Sequence, residues 1–184
     1  MECIPAAEIR RRGSVYLPFF ITIVNMEELS FGQLRLEDQF LLNEAEKALK
    51  GGYGPYSKFH VGCSVRTSSE KVYLGANMDN ASFGATICAE RAALGAANTY
   101  QDRNVMAMAV IGKLAGGESP TPTFPCGVCR QLIYGFAHLS GHDILIFCSN
   151  TRKDRIFVTS VYELLPKAFG PRDLGVDVSR YATP

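Results

Sequence analysis

The sequence predicts an α/β protein in which helices cover both faces of a mixed sheet of about five strands, a three-layer α/β/α arrangement. Segments with the apolar spacing of amphipathic helices alternate with short apolar runs typical of strands, and no repeat or long linker separates them. The size agrees, because 184 residues with 47% hydrophobic content are enough for one core. We therefore expect one domain with one functional site.

The first half of the chain contains a helix, a hairpin and a second helix. Apolar residues recur at helical spacing over Leu36–Leu49, and the glycine pair 51–52 marks the end of this helix. Two strand patterns at 61–67 and 72–77 are joined by a short polar turn and predict a β-hairpin. The alanine-rich stretch 89–98 predicts the second helix.

The second half continues the alternation. A continuous apolar run at 105–111 predicts a buried strand, and the helical pattern at 127–138 predicts a third helix. Two further strands are predicted at 144–148 and 156–159, followed by a short helix at 161–165.

Charge and cysteine usage limit the possible functions. With 19 basic and 18 acidic side chains the formal charge is +1, which gives no field strong enough to attract nucleic acid or an anionic membrane. A small, nearly neutral substrate fits better. Six cysteines without a regular framework, two of them in Cys126-x-x-Cys129, indicate metal binding in a reducing compartment such as the cytoplasm.

The N-terminal residues resemble a signal peptide only in part. Arginines at 10–12 precede an apolar run at 15–24, but Pro18 interrupts the run and no small-x-small cleavage site follows. Ten residues are also too few to cross a bilayer as a helix. We therefore do not expect secretion.

These features predict three parts of the chain. Residues 1–28 are expected to form an N-terminal extension of open role, with Met26 as an alternative start. Residues 29–174 are expected to form the functional domain, and residues 175–184 a C-terminal tail.

Two cysteine motifs stand at the predicted starts of helices. Cys88 precedes the second helix, and Pro125, Cys126 and Cys129 open the third after a glycine- and proline-rich loop at 113–124. Unpaired backbone N–H groups at helix starts lower thiol pKa values and so favour binding of Zn²⁺. Three thiolate ligands leave a fourth position open for water, as in catalytic zinc sites.

The spacing within the motifs constrains their geometry. Cys126 and Cys129 are three residues apart and can share one helix face. Cys88 and Glu90 would point to opposite sides of a regular helix, so we expect Cys88 to be the N-cap. Its thiolate can then face the metal while Glu90 approaches the same pocket from another side.

Glu90 is the candidate proton carrier. Three thiolates leave a zinc site with a charge of about minus one, so a nearby cation should compensate. Arg91 or Arg130 could donate hydrogen bonds to the sulfurs, and we favour Arg91. A water at the open position could then lose a proton to Glu90 and attack an amidine-like carbon.

The motifs resemble those of the zinc nucleoside deaminases and, within them, the compact cytidine deaminases. The similarity covers about residues 37–174 and rests on Cys-Ala-Glu-Arg at 88–91 and Pro-Cys-Gly-Val-Cys-Arg-Gln at 125–131, with further matches at 55–59, 61–62, 77–81, 163–166 and 168–171. It implies one Zn²⁺ per chain and hydrolytic deamination of cytidine and deoxycytidine in pyrimidine salvage, with Glu90 as the proton shuttle.

The resemblance also implies substrate contacts. Phe59 matches the aromatic residue that stacks on the pyrimidine, Asn77 the amide that binds the ribose 3′-hydroxyl, and Ala89 a further contact. Two positions depart from the family. Asp79 replaces a glutamate that reaches farther, and Phe83 replaces a tyrosine whose hydroxyl touches the sugar from a neighbouring subunit. We therefore expect weaker ribose binding.

Two more matches concern the subunit boundary and the leaving group. Phe169 matches an aromatic residue lent to the adjacent subunit's pocket, which implies a homotetramer. The carbonyl of Phe124, just before Pro125, matches the group that accepts a hydrogen bond from departing ammonia.

Other readings of the same residues remain. The cysteines could form a structural zinc site in a domain without activity, although such a site is normally four-coordinate and would not need Glu90. A nucleic-acid-editing deaminase would need a basic, aromatic groove, which the charge opposes. A deaminase of another aminopyrimidine nucleoside, such as a nucleoside antibiotic, and a non-catalytic binding module stay open.

Cys63 and Cys148 lie in strand patterns and are expected to be buried.

Overall fold

A computed structural model of the chain describes residues 26–182. Within them one sheet contains six strands: β1 (Glu27–Leu29), β2 (Phe59–Thr67), β3 (Val72–Ala76), β4 (Val105–Leu114), β5 (Leu145–Ser149) and β6 (Ile156–Ser160). The helices are α1 (Leu36–Leu49), α2 (Ala89–Thr99), α3 (Gly127–Ser140) and α4 (Val161–Leu164). Four 3₁₀ turns lie at Phe31–Gln33, Phe83–Ala85, Pro171–Leu174 and Ser179–Tyr181.

The sheet is mixed, as predicted. Its strand order is β1-β6-β5-β4-β2-β3, with β4 and β5 parallel and every other neighbouring pair antiparallel. The parallel pair follows from the chain path, because α3 carries the chain from the end of β4 back to the start of β5. The helix α2 likewise connects β3 to β4, so α2 and α3 both begin in connections between strands of the same sheet.

Alternate residues of the central strand β4 serve the two sides of the sheet. Ala109 and Ile111 pack with Leu41 and other apolar residues of α1 on one face. Met108 and Val110 pack with apolar residues of α2 and α3 on the other face. The three-layer α/β/α arrangement is therefore confirmed, with α2 and α3 sharing a layer.

Two strand glycines allow helices to lie directly on the sheet. A Cβ atom on Gly62 of β2 would lie 2.1 Å from the carbonyl oxygen of Ala45 in α1. A Cβ on Gly75 of β3 would lie 2.2 Å from the carbonyl oxygen of Ala89 in α2. Because these contacts are with helix backbone, no side-chain movement could relieve them. Gly75 therefore sets how closely the start of α2 approaches the sheet.

The sixth strand, β1, is the main difference from the prediction. Glu27 and Glu28, which the sequence assigned to the extension, pair with Val158 and Phe157 of β6. A three-residue strand of sequence Glu-Glu-Leu carries no alternating apolar pattern, so only its long-range pairing identifies it. The apolar run at 15–24 lies outside the described residues.

Several other bounds differ from the prediction. β2 and β4 are each longer than predicted, because Phe59 pairs with Leu114 at their ends. The stretch expected to be a tail contains the last 3₁₀ turn, and the carbonyl of Tyr181 accepts a hydrogen bond of 3.0 Å from the Arg103 guanidinium.

Between residues 26 and 182, no helix has the length and apolar character needed to span a membrane.

We predict that Gly62→Ala lowers the free energy of unfolding by about 1–3 kcal/mol, because the added methyl group meets the α1 backbone and strand and helix must separate. Chemical denaturation measures the change. Gly95→Ala is the matched control: Gly95 is exposed in α2 with no atom within 4 Å of its Cβ position, so it should gain about 1 kcal/mol from helix propensity. Equal stability of Gly62→Ala and the unchanged protein would contradict the close packing.

Candidate metal centre and active site

The three motif cysteines occupy the starts of two neighbouring helices. Cys88 is the N-cap of α2, with φ −73° and ψ 153°, and this extended backbone confirms the cap position inferred from its spacing to Glu90. Cys126 is the N-cap of α3, with φ −69° and ψ 168°, and Cys129 lies in the first turn of the same helix. Since α2 and α3 cover the same face of the sheet, their starts bring the three thiols together.

The sulfur atoms have the separation that one metal ion requires. The Sγ atoms of Cys88 and Cys126 are 3.9 Å apart, and all three sulfurs lie within 4.8 Å of one another. Four-coordinate zinc with Zn–S bonds of about 2.3 Å places its sulfur ligands about 3.8 Å apart. Over residues 26–182, no further cysteine, histidine or carboxylate joins this group. The donor set fits zinc with one coordination position left for a small molecule.

Glu90 lies at the metal centre but is shielded from solvent. Its residue surface is only 4% exposed. This burial, with the nearby charge of Cys88 as a smaller contribution, raises the pKa of Glu90 to about 7. A carboxyl group with a pKa near neutrality can both accept and return a proton, which general acid–base catalysis requires.

The pKa values of Cys88 and Cys129 shift in opposite directions. Hydrogen bonds from the thiols of Cys129 and Cys126, together with the charge of Arg91, lower the pKa of Cys88 to about 6. The same hydrogen bond to Cys88, together with burial, raises the pKa of Cys129. Cys88 is thus better prepared than Cys129 to bind a cation as a thiolate at neutral pH.

Both candidate arginines, Arg91 and Arg130, donate hydrogen bonds to backbone carbonyl groups, and the charge of Arg91 also acts on Cys88. Arg91 donates a hydrogen bond of 3.3 Å to the carbonyl of Thr86, and its charge acts on Cys88. Arg130 donates from Nε to the carbonyl of Pro125 at 2.8 Å and from Nη1 to that of Leu164 at 3.1 Å. Arg130 therefore holds the peptide before Cys126. These hydrogen bonds go to oxygen, whereas the sequence suggested bonds to sulfur.

The ring of Phe59, at the start of β2, lies against Gly112, a residue that the sequence analysis did not identify. A Cβ atom on Gly112 of β4 would lie 2.8 Å and 2.9 Å from the Cε1 and Cζ atoms of the Phe59 ring. A larger residue here would have to displace the ring or the Thr123 hydroxyl, whose oxygen lies 2.6 Å from the same Cβ position. The pairing of β2 with β4 identifies Gly112, and no local sequence signal does.

Asn77 and Asp79 lie beside Phe59 and are buried, with 7% and 8% exposure. The amide of Asn77 donates to the carbonyl of Phe59 at 2.9 Å and accepts from the N–H of Val61 at 2.8 Å. The carboxylate of Asp79 accepts from the N–H of Ser57 at 2.9 Å, and this bond lowers the pKa of Asp79. Asn77 therefore bonds to the first residues of β2, and Asp79 bonds to the turn just before the strand.

Of the remaining predicted contacts, one is in the core and two are on the surface. Ala89 is fully buried as the first residue of α2, between Cys88 and Glu90. Phe83 is 76% exposed, and Phe169 is 61% exposed with its carbonyl bonded to Gln131 of α3. The described part of one chain does not bury either aromatic ring.

Cys63 and Cys148 form part of the floor beneath the site. Both are fully buried and free, and both pair with Val110 of the central strand, on its two sides. Burial raises the pKa of each thiol, and the charge of Glu90 adds to the effect. The prediction that they behave as small buried side chains is confirmed.

Comparison with known proteins agrees with this geometry. Residues 36–139 match the family model for the cytidine and deoxycytidylate deaminase zinc-binding region. The chain is 41% identical over 139 residues to the cytidine deaminase of Halalkalibacterium halodurans, covering 76% of this chain and 98% of that protein. It is 37% identical over 134 residues to the cytidine deaminase of Sporosarcina psychrophila, covering 73% and 92%.

Solved structures give the same result. The crystal structure of cytidine deaminase from Burkholderia pseudomallei superimposes with a TM-score of 0.61 at 36% identity, covering 71% of this chain and 97% of that one. The structure of the Mycobacterium tuberculosis cytidine deaminase has a TM-score of 0.58 at 29% identity, covering 74% and 99%. Matched over more than half its length, with the cysteines of both motifs meeting at one point, the chain belongs to the cytidine and deoxycytidylate deaminase family.

Proposed function

We propose that the protein is a zinc-dependent hydrolase that converts cytidine and deoxycytidine to uridine and deoxyuridine with release of ammonia. The observation that carries the proposal is the convergence of three thiols at two helix starts, beside the buried carboxyl group of Glu90. Its relatives named cytidine deaminase match over almost their full length, which supports the same reaction here.

The proposed zinc ligands are Cys88, Cys126 and Cys129. Zinc bound there would supply a water molecule acidic enough to attack the pyrimidine at neutral pH. Arg91 offsets part of the thiolate charge, and the Pro125 peptide, held by Arg130, fixes the start of the Cys126 motif.

Glu90 carries the protons. Its carboxylate takes a proton from the attacking water and gives it to the ring nitrogen next to the reacting carbon. Glu90 then takes the second proton, from the hydroxyl group now on that carbon, and gives it to the amino group, so that the carbon–nitrogen bond breaks and ammonia leaves as the carbonyl of uridine forms. Burial favours the neutral carboxyl between these steps, as the raised pKa of Glu90 indicates. The Phe124 carbonyl is the proposed acceptor for the departing ammonia.

The substrate is proposed to bind over the floor formed by β2 and the start of α2. The ring of Phe59 stacks on the pyrimidine, and Ala89 contacts it beside the metal. Asn77 and Asp79 provide the nearest polar groups for the sugar. In this arrangement the base would lie against Glu90 and the ribose beside Asn77 and Asp79.

We further propose that the enzyme is a cytoplasmic homotetramer in pyrimidine salvage. Two large aromatic side chains, Phe83 and Phe169, are left exposed by the single chain, and burial against another subunit would remove both from water. Five free cysteines among the described residues, three of them at the metal centre, suit a reducing compartment.

A second candidate is deamination of another aminopyrimidine nucleoside. Asp79 favours it, because its short carboxylate is already bonded to the Ser57 amide and has less reach toward a ribose. Ammonia release measured with cytidine, deoxycytidine, cytosine and a modified aminopyrimidine nucleoside separates the two candidates, since only the second predicts that the modified nucleoside has the highest kcat/KM.

We predict that Glu90→Gln lowers kcat for cytidine by about two to four orders of magnitude, because glutamine cannot transfer the protons. Zinc content should stay unchanged, since Glu90 is not a proposed ligand. The fall in ultraviolet absorbance of cytidine measures the rate. Glu118→Gln, at an exposed salt bridge with Arg152, is the control and should keep the full rate. A nearly normal rate in Glu90→Gln would refute the proposed proton carrier.

We predict that purified protein contains about one zinc per chain and that Cys126→Ala contains almost none, because two thiolates do not hold the ion tightly. Atomic absorption after dialysis measures the metal. Cys148→Ala removes a buried thiol outside the cluster and should keep its zinc while losing some stability. Full zinc occupancy in Cys126→Ala would show that the ligand set is wrong.

We predict that Phe83→Tyr lowers KM for cytidine by about two- to tenfold, the effect of one added hydrogen bond from the tyrosine hydroxyl to the sugar. Phe83 is exposed in the single chain, so the extra oxygen meets no packing conflict there. The inhibition constant of cytosine, which has no sugar, is the internal control and should not change. An equal change for both ligands would contradict a sugar contact.

A further inference from the structure

The segment Asn77-Met78-Asp79, which we call the 77–79 segment, is bonded through its backbone to the metal centre. The N–H of Met78 donates to the carbonyl of Ile87 at 2.9 Å, and the N–H of Ile87 donates back at 3.0 Å. Ile87 directly precedes Cys88. This pair of bonds therefore fixes the peptide that delivers the proposed ligand.

On its other side the same segment is bonded to the loop after α1. The N–H of Tyr53 donates to the carbonyl of Asn77 at 2.9 Å, and the N–H of Asp79 donates to the carbonyl of Tyr53 at 2.8 Å. The segment thus lies between two neighbouring chain segments, bonded to both, and its position is determined from both sides.

The side chains of Asn77 and Asp79 extend this bonding to Phe59. Asn77 bonds to the carbonyl of Phe59 and to the N–H of Val61, and Asp79 bonds to the N–H of Ser57. The hydroxyl of Ser57 in turn accepts from the N–H of Phe59 at 3.1 Å. The backbone on both sides of the aromatic ring is therefore tied to the segment that also holds Ile87.

Most of the Asn77 amide is bonded within the protein, and one acceptor position remains for a ligand. A side-chain amide has two N–H donors and an oxygen that can accept two hydrogen bonds. One donor goes to Phe59, the other faces the carboxylate of Asp79 at 3.5 Å, and the oxygen already accepts from Val61. The backbone of Gly52 also closes over that oxygen, because a Cβ there would lie 2.9 Å from it. Removing the amide would leave the N–H of Val61 without its side-chain partner, and the carbonyl of Phe59 would lose its 2.9 Å bond and keep the longer one of 3.3 Å from the Ser57 hydroxyl.

We propose that Asn77 and Asp79 are positioning residues that set the place of Phe59 relative to Cys88, and so the place of the base relative to the metal, even for a ligand without a sugar. The inference rests on the proposed function and goes beyond a contact with ribose. A pure sugar contact affects only ligands that carry the sugar. A positioning role affects every ligand that stacks on Phe59.

The first test compares cytidine with free cytosine as a competitive inhibitor, in Asn77→Ala and Asp79→Ala. The inhibition constant of cytosine should rise at least about tenfold in both variants, the effect of losing a buried hydrogen bond of about 1.4 kcal/mol or more. The kcat for cytidine should fall together with the rise in its KM. Asp79→Asn keeps an oxygen for the Ser57 N–H and should restore the cytosine constant to within about twofold of the original. An unchanged cytosine constant in Asn77→Ala overturns the inference.

Ser64→Ala is the matched control for general loss of stability. Ser64 lies in β2 on the opposite face, where its hydroxyl donates to the carbonyl of Leu41 in α1 at 2.6 Å. Its removal should lower the denaturation midpoint and leave the cytosine constant unchanged. If Ser64→Ala weakens cytosine binding as much as Asn77→Ala does, the effect is merely structural and the inference fails.

A second readout does not depend on activity. Hydrogen exchange of the amides at 57–61, followed by mass spectrometry on the full chain, should speed up at least about tenfold in Asn77→Ala and stay unchanged in Ser64→Ala. If the unchanged protein released no ammonia from cytidine, the proposed function would fail while this measurement still tested the positioning. Unchanged exchange in Asn77→Ala would refute the positioning itself.

Discussion

Three sulfur atoms from two distant parts of the chain must meet within bonding distance of one ion, and most of this structure follows from that requirement. The sulfurs come within 4.8 Å of one another because α2 and α3 begin side by side on one face of the sheet. Cys88 and Cys126 are the N-caps of these helices, and their extended backbone gives each thiol a direction that a helical residue would not have. A regular helix could not present Cys88 and Glu90 to one pocket.

The sheet provides the rigid support for this meeting point. Gly75 lets the start of α2 lie directly on β3, and Gly112 leaves space for the ring of Phe59 across β2 and β4. The buried thiols Cys63 and Cys148 fill the floor without adding charge, since burial raises both of their pKa values. Glu90 is thereby enclosed in poorly solvated surroundings, which raise the pKa of its carboxyl group.

The polar residues beside Phe59 bond to more than one part of the chain. Asn77 and Asp79 satisfy backbone groups of β2 and of the preceding turn, while the peptide between them is paired with Ile87. The backbone at Phe59 and the peptide before Cys88 are therefore joined through one short segment. The two family departures, Asp79 and Phe83, concern groups at the sugar end of the proposed pocket. The metal centre itself keeps the full motif.

The sequence by itself determined whatever depends on local spacing. It predicted α1, α2 and α3 from apolar periodicity and capping, the hairpin from its turn, the zinc donors from two motifs, and the N-cap position of Cys88 from helix geometry. Only the tertiary structure decided the features that depend on pairing between distant segments: β1 at the edge of the sheet, Gly112 under Phe59, Arg130 on the Pro125 carbonyl, and the backbone partners of Asn77. A residue's neighbours along the chain set its helical or extended preference, but its contacts across the sheet arise only when the whole core packs.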